Sequence, residues 1–286
     1  MMATLSIRTQ SPYRKALRWL ALLIVAIVMS YPLLWMIASS FKPEQRIFSE
    51  PGLLSSEFTW RNYIDGWSQV GIPFGFFMVN SAVICILAIV GNLFSCSLAA
   101  YAFARLQFPF SKTAFAVMLA TLMLPFHVTV LPEYIAFQNL GLVNTIAPLV
   151  LPKFLATDAF FVFLLVQFIR GIPRDLDQAA EIDGCNKYQI FLFIIFPLCR
   201  PALILVAIFT FLWTWNDFFS QLIYLGQVER YTAPLALNLF IDATSGESAW
   251  GMLFAMSVIT LLPLFILFVI FQRQIAEGIT TTGLKG

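Results

Sequence analysis

Stretches of roughly twenty apolar residues recur along the chain, and that repetition limits the fold more than any motif does. They run approximately over residues 19–39, 77–103, 113–131, 146–169, 201–225 and 252–271. A helix rises about 1.5 Å per residue, so about twenty residues cross the ~30 Å hydrocarbon layer of a bilayer. Lipid offers no hydrogen-bond partner to a backbone, which leaves helices for runs of this kind. Charged residues make up only 11% of the 286 positions, against about 25% in soluble chains. The expectation is an all-α, polytopic membrane protein with six transmembrane helices, in one domain over 1–286. The first run is too long for a signal-peptide core and has no small-residue cleavage site, so it reads as a retained span.

An even number of spans puts both termini on one side, and the basic residues say which. Twelve of the seventeen Lys and Arg fall in the N-terminus, the 105–112 link, the 167–201 loop and the tail. Lys42, Arg46, Arg61, Lys153 and Arg230 fall opposite. The positive-inside rule then assigns both termini and the 167–201 loop to the cytoplasm.

Several chemistries lack their parts. His127 is the only histidine, and no Cys/His cluster has zinc spacing. Cys85 and Cys96 lie ~16 Å apart along one helix, beyond disulfide reach. No Gly-x-x-x-x-Gly-Lys-Ser/Thr stretch occurs, so ATP has no phosphate loop here and no cofactor is expected in this chain. A net charge of +2 suggests no nucleic-acid partner.

The 167–201 loop, QFIRGIPRDLDQAAEIDGCNKYQIFLFIIFPLCRP, is a charged island between apolar runs. Pro173 suits a first helical turn, and Asp175 and Asp177 favour the positive end of a helix dipole. Leu176, Ala179, Ala180 and Asp183 follow the i, i+3, i+4, i+7 pattern of one short, nearly flat face. Gly184 stands where a left-handed C-cap would end the helix. Asn186 and Gln189 have capping-box spacing for a restart. Such a surface helix, turn and returning helix make a docking element.

QAAEIDG, followed by Phe191, Ile194, Pro197 and Pro201, resembles the EAA loop of binding-protein-dependent ATP-binding-cassette permeases. WND in Trp215–Asp217 and the QRQIAEGITTTGLKG ending resemble the carbohydrate-type members. So do SSFKPEQRIFSEP and TWRNYIDGW in the polar stretch after the first span. The resemblance implies the type I importer permease fold in a bacterial cytoplasmic (inner) membrane. It also implies a second permease subunit, two ATPase subunits carrying the ATP and Mg, an extracytoplasmic solute-binding protein and a sugar substrate. Leu176, Gln178, Ala179, Ala180, Asp183 and Gly184 would meet the ATPase. Gln178 stands where the motif has Glu, so any ion pair of that Glu falls to Asp177 or Glu181. The 226–250 loop would reach the binding protein, and the tail the ATPase dimer interface.

Candidate residues for the substrate path are Asn80, His127, Trp213, Asn216 and Asp217. A carboxylate at a helix centre costs about 2.5–3.5 kcal/mol on insertion, so Asp217 needs a partner or a wet cavity. Helical phase then turns Trp213 and Asp217 inward and Trp215 outward. An interfacial anchor at the outer end of the helix satisfies the same residues. His127, beside Pro125, also reads as a packed kink residue. Pro148, Pro152, Lys153 and Asp158 break the fourth run; they line a cavity or form an interfacial segment before the true span, the simpler reading. An ion-coupled carrier would need intramembrane ionisable pairs in several spans, and only Lys153, Asp158 and Asp217 are candidates. Glycerol 3-phosphate or another small polar solute remains an alternative cargo.

Overall fold

The computed structural model describes residues 12–241 and 249–283, the side chains of 12, 14 and 275–283 excepted. Residues 242–248 of the 226–250 loop, and the tail side chains from 275 on, with the expectations that rest on them, lie outside the described residues. The order begins with α1 (Pro12–Ser40), α2 (Glu44–Ile47), α3 (Arg61–Ser68) and α4 (Phe74–Arg105). Next come α5 (Ser111–Thr121), α6 (Phe126–Asn139), α7 (Ala147–Val150), a 3-10 turn (Leu151–Leu155) and α8 (Ala159–Arg170). Then follow α9 (Asp175–Ile182), α10 (Lys187–Ile190), a π-helical turn (Phe191–Ile195) and α11 (Phe196–Leu198). The chain continues with α12 (Arg200–Asn216), α13 (Phe219–Tyr224), α14 (Ala233–Ala236) and α15 (Trp250–Gly283). The described residues contain no strand, as expected for an all-α chain.

Four helical segments are long and apolar enough to cross a membrane: Lys15–Ser40, Phe74–Arg105, Ala147–Arg170 and Trp250–Gln274. Two bent pairs bring the number to six, Ser111–Thr121 with Phe126–Asn139 (103°) and Lys187–Leu198 with Arg200–Asn216 (76°). The third span was expected to end near Leu131 in a loop. Pro125, which has no N–H, interrupts it where the sequence suggests, but α6 restarts there and runs on to Asn139. The fifth was expected to run unbroken to Leu225. It stops at Asn216, with Asp217 in extended backbone at ψ 102°.

The chain groups into two compact units. One comprises 1–66 with 240–258, the other 67–239 with 259–286. In the first, the 41–66 segment is tied down by buried polar contacts. Lys42 is fully buried, and its Nζ donates to the carbonyls of Glu50 (2.6 Å) and Gly52 (2.5 Å). The Asn62 amide donates to the Ser40 and Lys42 carbonyls (2.9 and 2.8 Å). The Glu44 carboxylate accepts from the N–H groups of Trp250 (2.9 Å) and Gly251 (2.8 Å), capping α15 where its dipole is positive. A Cβ on Gly251 would lie 2.7 Å from the Asn62 amide, so this approach needs glycine.

In the second unit α4 is the central post. Ala88, Gly91, Ser95, Cys96, Ala100 and Ala104 recur at short intervals and are buried. Lipid tails are as apolar as Leu, so helices associate here through close van der Waals packing, which small residues permit. Phe161, Leu165 and Ile169 of α8 and Val206 of α12 share the core with that stripe. The 3-10 turn seats on Gly91, where a Cβ would lie 2.8 Å from the Phe154 ring and 3.0 Å from the Lys153 carbonyl carbon. Ser95 Oγ donates to the Lys153 carbonyl (2.6 Å). The broken segment therefore packs at mid-length of α4, which corrects the interfacial reading: non-helical backbone survives at that depth because protein covers it.

Candidate coupling site

The 167–201 loop folds as its spacing predicts, with two differences. Helix α9 starts at Asp175, so Pro173 stands just before the cap rather than in the first turn. Asp175 and Asp177 occupy that turn. At the far end Gly184 adopts φ +86°. The Cys185 N–H reaches the Ala180 carbonyl (2.9 Å) and the Gly184 N–H that of Glu181 (3.1 Å), a Schellman cap. Asn186 then opens α10 with a complete capping box. Its side chain accepts from Gln189 N–H (3.0 Å), and the Gln189 side chain accepts from Asn186 N–H (2.8 Å).

The second difference concerns Ala180. It turns inward, 5% exposed, into the core that also holds Tyr101 and Ile190. The two alanines are neighbours about 100° apart on the helix, so they cannot share a face equally. The outward face is Leu176, Gln178, Ala179, Ile182 and Asp183, all exposed, with Ile182 at 86%. Nothing in the sequence reading singled out Ile182, although a β-branched apolar residue in a charged loop was the available signal.

The element is anchored to α4. Arg105 Nε lies 2.8 Å from Asp177 Oδ2, with side chains only 5% and 15% exposed. The same guanidinium donates to the Ile172 carbonyl (2.7 Å), and Tyr101 OH donates to that of Lys187 (3.1 Å). Glu181 pairs with Lys187 at the surface. Asp177 and Glu181 thus both make ion pairs, and Gln178 stays exposed beside them.

The five path candidates do not converge. Asn80 donates to the Glu229 (3.1 Å) and Tyr231 (2.9 Å) carbonyls, fastening the loop after α13. His127 is exposed and meets Phe219 edge-on. Asn216 donates back to the Leu212 carbonyl (2.8 Å). Asp217 accepts from the Ser220 N–H (3.0 Å) at the start of α13, which gives the carboxylate its partner. The predicted phase of the two tryptophans is reversed. Trp215 is the buried one, 3% exposed, its indole N–H on the Thr260 carbonyl (3.1 Å). Trp213 is half exposed and stacks on Phe161 with centroids 5.0 Å apart. The deeper polar cluster lies elsewhere. Lys153 pairs with Asp158 (2.9 Å), and Asn92 donates to Asp158 (2.7 Å) and to Thr210 Oγ1 (3.1 Å).

Residues 91–281 match the model of a family described as the binding-protein-dependent transport system inner membrane component. The chain belongs to that family. The permease is 34% identical over 282 residues to the arabinooligosaccharides transport system permease protein of Halalkalibacterium halodurans, covering 98% of this chain and 99% of that one. It is 31% identical to the diacetylchitobiose uptake system permease protein of Streptomyces coelicolor, covering 91% and 86%. It is 32% identical to the trehalose/maltose transport system permease protein of Thermococcus litoralis, covering 92% and 94%. Its fold matches a crystal structure of a bacterial ABC transporter involved in the import of the acidic polysaccharide alginate, with a TM-score of 0.79 over 91% of the permease and 96% of that chain, at 18% identity.

Proposed function

We propose that the permease is one membrane subunit of an ATP-driven importer for a di- or oligosaccharide, and that α9 with its Gly184 turn transmits the ATPase stroke. The observation that carries this reading is the construction of α9. A two-turn helix presents an outward face of mixed small and apolar residues, while Arg105–Asp177 and Ala180 tie its inner face to the end of α4. A push on that face reaches α4 without passing through flexible chain. The relatives are named for the uptake or transport of diacetylchitobiose, arabinooligosaccharides and trehalose/maltose, which supports a carbohydrate cargo. The work of hydrolysis belongs to ATPase subunits, with ATP and Mg bound there, and a solute-binding protein delivers the cargo. Both termini and α9 lie on the cytoplasmic side of the membrane.

The test is reconstitution of the complete complex in vesicles with its binding protein, and identification of the solute that co-purifies. Uptake should require ATP, and the isolated permease should show no ATP turnover. Uptake that persists when the ATPase subunits are omitted would replace this reading with ion-coupled carriage.

A further inference from the structure

Three apolar helices change to polar chain at one place. Helix α4 ends at Arg105, α8 ends at Arg170, and α5 opens with Ser111 and Lys112. A cleft of about 420 Å³ lies there, within the about 300–1,000 Å³ range of small-ligand sites. Its lining includes Arg105, Lys112, Arg170 and Arg174, and no carboxylate. Arg105 is already paired with Asp177. Lys112, Arg170 and Arg174 have no ion-pair partner among the described residues. The apolar floor comes from Phe103, Leu106 and Phe115, and the Arg170 guanidinium sits 5.3 Å over the Phe115 ring. Beside the cleft Phe110 is 83% exposed, in a left-handed turn at φ +61°.

We propose that this cleft binds the phosphate of an anionic membrane lipid, with the glycerol against the cations and the acyl chains leaving along Phe103, Phe110 and Phe115. Three uncompensated cations at the headgroup level favour a phosphodiester, and basic pockets between membrane helices take such headgroups. A soluble anion would use the cations but not the aromatic floor. The lipid would also bear on coupling, because Arg174 precedes α9 and Arg105 holds it. The proposal needs only that the chain spans a membrane, so it stands or falls separately from the importer reading.

The test is native mass spectrometry of the complete complex titrated with phosphatidylglycerol or phosphatidylcholine in detergent, a readout that requires no transport. One phosphatidylglycerol per permease should be retained, and phosphatidylcholine should not. Each Lys or Arg near the surface contributes about fivefold in affinity, so the triple variant Lys112→Gln, Arg170→Gln, Arg174→Gln should weaken binding on the order of a hundredfold. Arg61→Gln, a cation elsewhere, should leave it unchanged. Should the triple variant fail to assemble, the single Lys112→Gln should still show the fivefold loss. Equal affinity in the variants, or equal retention of phosphatidylcholine, overturns the proposal. Displacement by inorganic phosphate or glycerol phosphate points instead to a soluble anion. Loss of ATPase subunits with lipid retention intact makes the cations a protein-docking patch.

Discussion

Gly184 shows how much can rest on one residue. A Cβ there would meet nothing within 4 Å, so any cost of substitution is backbone strain at φ +86° and not a clash. An L side chain in that region costs about 1–2 kcal/mol, Asn least and β-branched residues most. Gly184→Val should therefore unpick the Schellman cap and misaim α9, leaving ATP turnover insensitive to the binding protein, while Gly184→Asn keeps most of the response. Stimulation of ATPase activity in the reconstituted complex measures this; a fully responsive Gly184→Val would detach the turn from coupling. Glu50 is a second such residue. The hydroxyl and N–H of Ser56, then the Ser55 hydroxyl and Arg46, hold its carboxyl at about 2 instead of 4.5. A depressed carboxylate contributes stability that is complete above its unfolded value and lost as pH falls through the folded one. Trp35, whose indole N–H donates to the nearby Pro51 carbonyl (2.7 Å), should report a fluorescence change between about pH 4.5 and 2 that Glu50→Gln abolishes. Superimposable titrations of the two proteins would show that another group governs the segment.

At the scale of elements, the joint between α4 and α9 is a nearly buried ion pair. Removing one partner strands a charge, which typically costs about 3–5 kcal/mol, whereas replacing both by apolar groups is often neutral. Asp177→Ala should thus destabilise the complex more than the pair Arg105→Met with Asp177→Leu, as thermal unfolding would show. Additive losses in the double variant would mean that the two side chains do not act on each other. Asp177 also marks how far the sequence was legible. The Gly184 cap and the Asn186–Gln189 box follow from local rules, and the structure keeps them. The tryptophan phase expected from the sequence takes Asp217 as part of the helix and lets its desolvation cost set the rotation. The helix ends one residue earlier, so the carboxylate imposes no phase and caps α13 instead. The inward turn of Ala180, the seat of the 3-10 turn on Gly91 and the Arg105 anchor all depend on segments far apart in sequence. Periodicity within one segment carries no trace of them.

At the scale of the whole chain, the assignment of sides rests on charge, and it can be tested without transport. Leu54, between α1 and α4, and Tyr188, in the arm leading to α12, are 84% and 81% exposed, so single cysteines placed there start from matched accessibility. Three native cysteines, Cys85, Cys96 and Cys199, are buried, and the half-buried Cys185 can be replaced by Ser to clear the background. The six-span reading of the sequence puts twelve of the seventeen basic residues on the side of Tyr188. Translocating Lys and Arg is disfavoured, so that side should remain cytoplasmic. An impermeant maleimide applied to intact cells should then label Leu54→Cys at once and Tyr188→Cys only after the membrane is permeabilised. In inside-out vesicles the order should reverse, and bound ATPase subunits should slow the reaction of Tyr188→Cys, since it lies in the element that they would cover. Labelling of Tyr188→Cys from outside intact cells would invert the topology. It would also remove α9 from the reach of any cytoplasmic ATPase, so one experiment bears on both the orientation and the coupling role.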